Sequence, residues 1–142
     1  MIKNDRQYRI TMAQAHKLQE ALAQSTKRGN KSKVHPLLRK AQVDAVRSQL
    51  ADLRGEIKQY EGLRSGKRTV LDFQSFDDLP RTLIQARIAR GLSQRDLADR
   101  LGLKEQQIQR YEATEYSSAS LARVCEVAHA LGLKVKAEAC VA

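Results

Sequence analysis

Ala98 and Gly102 stand four residues apart inside a segment, Gln94 to Glu112, that reads QRDLADRLGLKEQQIQRYE. No other feature constrains the fold as strongly. Ser93 and Asp96 have the spacing of a capping box and start a helix. Ala98 leaves room for a second helix to cross the first. Gly102 accepts the positive φ that a sharp turn demands. Leu97, Leu101, Leu103, Ile108 and Tyr111 stand where apolar side chains must fill the angle between two short helices.

The outward face of the second helix then carries Gln106, Gln107, Gln109 and Arg110. Amides and guanidinium groups pair bidentately with base edges, Gln with adenine and Arg with guanine. A Gln-rich face is ordinarily just solvated surface. Here the capping box, the Ala-to-Gly spacing and the apolar angle residues agree with a DNA-reading head.

The wider stretch from Leu79 to Leu133 resembles the Xre family, the domain shared by phage Cro and repressor proteins and by many bacterial antitoxins. The resemblance rests on the entry R-x-x-x-G-L-S-Q (Arg87 to Gln94), the turn A-x-x-x-G, the exit I-x-x-x-E (Ile108 to Glu112) and S-L…A-x-A-L-G from Ser120 to Gly132. It implies a lambda-repressor-like fold and sequence-specific binding of double-stranded DNA as a homodimer on an operator. It also implies site residues. Gln94 takes the place of a phosphate contact. Lys104, Glu105, Gln106, Gln107, Gln109 and Arg110 take the recognition-helix face, and Tyr116, Ser117 and Ser118 the loop along the flanking phosphates. Lys104 departs from the Ser or Thr that often begins the recognition helix, so the cap there is weaker and a phosphate contact becomes ionic.

The rest of the chain reads as a helical extension. Thr11 and Gln14 predict a helix start at Thr11 with Ile10 as a staple. Met12, Ala15, Leu18 and Leu22 then share one face. Lys27 to Lys33 reads as a loop, and Pro36 fits the first position of a second helix. Along it Val43, Val46, Leu50, Leu53, Ile57 and Tyr60 alternate steps of three and four, an a/d seam that Gly55 weakens. The organisation expected is an N-terminal helical hairpin over residues 1–66, a linker over 67–78 and a helix-turn-helix domain over 79–142. Ser75 to Asp78 caps a helix with Pro80 in its first turn, and four short helices follow. Thr69 to Phe73 is expected as a short strand. Lys134 to Val141 alternates with period two and is expected as a second, paired with the first or with its mate in another subunit. The fold class is therefore mainly α with a short C-terminal strand.

Composition suits this. Of 142 residues 42% are hydrophobic, only 4% aromatic and none is Trp, so Leu, Ile, Val and Ala must build the core. Net charge is +10, which favours polyanions. The excess is uneven: residues 1–66 hold 14 Lys and Arg against 6 Asp and Glu, and residues 67–142 hold 12 against 10. Lys27, Arg28, Lys31, Lys33, Arg39 and Lys40 form a basic cluster, either solvated surface or a second contact with DNA backbone.

Cys125 and Cys140 make no disulfide framework, and no apolar run suggests a membrane span or a secretory signal. A cytoplasmic, nucleoid-associated protein is expected. Cys125 and His129, four apart, have the spacing of half a metal site. No second pair accompanies them, and Cys125 is expected as a buried thiol on the core face. No phosphate loop, H-E-x-x-H or G-x-S-x-G occurs, so neither an enzyme nor a cofactor is expected. Two alternatives to a free-standing regulator are an antitoxin that binds a toxin through the hairpin, and a helical scaffold that reads no bases.

Overall fold

The computed structural model describes residues 1–28, 34–67, 70–71 and 74–136. The chain divides into two compact units, Met1–Glu61 and Gly62–Ala142.

The first unit is built from α1 (Asp5–Arg28) and most of α2 (Pro36–Arg64). α1 begins two turns earlier than Thr11. Asn4 is its cap: its Oδ1 accepts the Gln7 N–H at 2.9 Å, and Gln7 Oε1 accepts the Lys3 N–H at 2.8 Å. Thr11 instead lies buried within the helix, and Ile10 is half exposed rather than stapled. The Thr-x-x-Gln spacing arose by chance inside a helix whose stronger cap lies upstream. Pro36 does open α2, and the helix runs through Gly55 without a break.

The two helices are antiparallel, because early residues of α1 meet late residues of α2. The Tyr60 hydroxyl donates to Asp5 Oδ1 at 2.9 Å and the Tyr8 hydroxyl to Glu61 Oε1 at 2.6 Å. The Tyr8 and Tyr60 rings stack 5.3 Å apart. Further along, an Arg54 N–H donates to Gln19 Oε1 at 3.0 Å. The α2 seam faces inward. Leu50, Ile57 and Tyr60 are buried, and Val43, Val46 and Leu53 are half-buried. On α1 Ala15 is buried and Leu18 and Leu22 half-buried, while Met12 is exposed.

The second unit holds a 3-10 turn (Phe76–Asp78) and four helices, α3 (Leu79–Ala89), α4 (Gln94–Leu101), α5 (Glu105–Ala113) and α6 (Leu121–Ala130). Ser75 and Asp78 form a reciprocal capping box on the 3-10 turn, and Pro80 sits in the first turn of α3. Leu83, Ile84, Leu97, Ile108 and Val127 are completely buried and draw the four helices onto one aliphatic core.

Two expectations are corrected. The fold is all-helical where described. No strand occurs among the described residues, so the expected C-terminal β-strand is not found. Leu133 to Lys136 have no regular structure, Val135 is 45% exposed, and the remainder of that segment lies outside the described residues. Val70 and Leu71 of the expected first strand are likewise irregular, and its other residues are not described. Alternation of apolar and polar residues makes a strand only when a neighbour takes up its backbone groups. Cys125 is exposed, not buried, because Val127 and Leu131 take the core side of α6.

Candidate nucleic-acid interface

α4 starts at a complete capping box. Ser93 Oγ accepts the Asp96 N–H at 3.0 Å, and Asp96 Oδ2 accepts the Ser93 N–H at 2.8 Å and its hydroxyl at 2.7 Å. Those bonds from the Ser93 side chain and backbone hold the Asp96 carboxyl below its usual range. α4 stops at Gly102, whose φ of 65° and ψ of 31° are left-handed. The Leu103 N–H then reaches back to the Ala98 oxygen at 2.9 Å. Ala98 is 1% exposed at the crossing of the helices, as a small residue there must be. Leu97 and Ile108 are fully buried in the angle, and Leu101, Leu103 and Tyr111 are half-buried.

The outer face of α5 divides into engaged and unengaged side chains. Lys104 stands at the cap, where its ammonium cannot accept a hydrogen bond. Gln107 supplies the cap instead, its Oε1 accepting the Lys104 N–H at 3.1 Å. Gln109 Nε2 donates to Glu105 Oε1 at 3.1 Å, one turn away. Gln106 and Arg110, also one turn apart, are exposed, and no described residue hydrogen-bonds their side chains. The two leave an amide and a guanidinium together on one exposed face.

Beneath this face lies a polar cluster that sequence reasoning did not single out. Glu112, fully buried at the end of α5, takes a bidentate fork from Arg87 of α3, with Nε to Oε1 at 2.5 Å and an NH2 to Oε2 at 2.8 Å. Arg87 also donates to the Leu92 carbonyl at 2.8 Å. Gln94, at the start of α4, donates from Nε2 to Glu112 Oε2 at 2.7 Å. Gln94 is only 8% exposed. One carboxylate thus ties together three helices of the motif. The signal was in the sequence: Glu112 comes one turn after Ile108, on the face that must be buried.

The loop after α5 also turns inward. Glu115 and Tyr116 take positive φ of 48° and 58°. Tyr116 is 4% exposed, and its ring stacks on Tyr111 with centroids 6.0 Å apart. Burial, and then the nearby Glu112 charge, push its phenol far above the usual range. Ser117 and Ser118 remain exposed, Ser118 Oγ lying 3.1 Å from Thr114 Oγ1. Of the residues singled out from the sequence, Lys104, Glu105, Gln106, Gln107, Gln109, Arg110, Ser117 and Ser118 are exposed. The side chains of Gln94 and Tyr116 are built into the interior.

A helix capped by Ser93, turned at Gly102 and followed by a helix with an exposed polar face defines the helix-turn-helix class of DNA-binding domains. Residues 83–136 match a family model described as Helix-turn-helix, and that segment is a DNA-binding domain of the Xre type. Over that segment the chain carries a domain of the kind that DNA-binding transcription regulators use. Residues 1–82 lie outside the match. No curated protein and no solved structure matches the chain. Among the described residues no helix is long and apolar enough to cross a membrane, and no three His, Cys, Asp or Glu side chains gather as metal ligands would.

Proposed function

We propose that the protein binds a two-fold operator as a homodimer, with α5 in the major groove of each half-site, and regulates transcription by occupying it. The observation that carries this reading is the pairing of unengaged Gln106 and Arg110 on the exposed face of α5, behind the Gly102 turn. Bases are read there by Gln106 with an adenine and by Arg110 with a guanine. Gln107 and Gln109 contribute as members of the face, each already bonded within its own helix. Lys104 and the exposed Ser117 and Ser118 supply phosphate contacts on either side. Two-fold readers place their half-sites about 34 Å apart, one helical turn of DNA.

The test is selection of bound DNA from a random pool, followed by substitution. Arg110→Ala should cost roughly 1–3 kcal/mol on the selected site and relax preference at a single base pair of each half-site. A variant that keeps the full sequence preference would show that Arg110 reads no base. A pool that yields no two-fold site would remove the dimer from the reading.

A further inference from the structure

The hairpin carries a groove that helix pairing leaves open. It lies between α1 and α2 and encloses about 480 Å3. Leu22, Val43 and Val46 line it and are only half-buried, although they belong to the faces the two helices turn toward each other. Ala21, Ser25, Gln42 and Ala45 complete the lining, mostly small side chains that let another helix come close. Leu38, one turn before Gln42 on α2, is 57% exposed. Ile10, three turns before Ala21 on α1, is 50% exposed.

We propose that this groove is the face on which a second copy of the chain docks, hairpin against hairpin across a two-fold axis. Charge decides the occupant. Residues 1–61 hold 13 Lys and Arg against 6 Asp and Glu, yet no charged side chain lines the groove among the described residues. An acidic partner drawn by the basic excess would need bases at the contact. DNA backbone would need cations for its phosphates, and the groove offers only the neutral Ser25 and Gln42 among aliphatic side chains. A second copy bears the same excess, so it can approach only through a face from which charge has been removed. An isologous contact meets that condition on both sides at once. Two antiparallel helices bury a single seam, and a second pair laid on the open side completes a four-helix arrangement.

The inference rests on the dimeric reading above and names its surface. Sedimentation equilibrium of the full chain without DNA tests it. The unaltered protein should dimerise. Ala45→Glu and, separately, Ala21→Glu put an unpaired carboxylate into the apolar contact once from each copy and should weaken the dimer about a hundredfold or more. Ala23→Glu, exposed on α1 outside the groove, should leave it unchanged, and circular dichroism should show each variant as helical as the parent. If the parent dimerises and both groove variants dimerise equally well, the groove is not the interface, while the dimeric reading stands. If the parent is a monomer at tens of micromolar, both fail. The isolated DNA reading can still be judged by whether the monomer binds half-sites.

Discussion

At the scale of single residues the interior of the reading head is held by charge as well as by apolar contact. Arg87, Glu112 and Gln94 bring three helices to one carboxylate, and both members of the ion pair are buried. A pair removed from water is costly to assemble and costlier to break from one side. Glu112→Leu alone, which strands the guanidinium, should destabilise the protein by about 3–5 kcal/mol. Arg87→Met combined with Glu112→Leu should recover most of that loss, because an apolar replacement leaves no buried charge behind. Urea denaturation of the two variants and the parent measures the coupling. Equal losses in the single and double variants would mean that packing, not the stranded charge, sets the cost. The same cluster explains why Gln94, which resembles a phosphate contact by position, is found in the interior: Glu112 accepts its amide N–H. Nothing about Gln94 itself announces this. The partner comes from eighteen positions further on, and only the fold makes the two neighbours.

At the scale of elements, local signals decide the structure where the cap and the turn residue are both short-range. The Ser93–Asp96 box, the Gly102 turn and Pro36 at the head of α2 stand where the sequence placed them. The α1 start did not, since several residues can offer a cap and only the helix that forms selects among them. Gly55 is a further case. It weakens the seam helix by its low helix propensity, yet α2 continues through it, its backbone stays out of the left-handed region, and an added Cβ would meet nothing within 4 Å. Glycine in such a place costs backbone entropy and returns no contact. Gly55→Ala should therefore stabilise the first unit by about 0.5–1 kcal/mol. Thermal denaturation followed by circular dichroism at 222 nm checks this. A lower melting temperature would show that α2 needs a flexible point there.

At the scale of the whole molecule the two units divide the labour of charge. The reading unit is close to neutral, while the first unit holds most of the excess of base. We expect Lys27, Arg28, Lys31 and Lys33 to add affinity for DNA that is independent of sequence. For every phosphate these side chains neutralise, replacing them with uncharged residues should lower the slope of log K against log salt by about 0.9. Binding of the selected site measured across salt concentrations gives that slope, and an unchanged value would reduce the cluster to solvated surface.

What the sequence determined by itself was whatever depends on neighbours a few residues apart: helix periodicity, the box at Ser93, the left-handed Gly102, and the set of exposed groups on α5. Tertiary structure decided which of these groups are available. Gln94 and Tyr116 turn inward because Glu112 and Tyr111 await them, and Cys125 turns outward because Val127 and Leu131 claim the core side of α6. The alternating tail from Lys134 has a strand's pattern, but over its described residues it forms none. A helix satisfies its own backbone, so its pattern alone suffices. A strand depends on a partner, and that is a property of the folded molecule rather than of the segment.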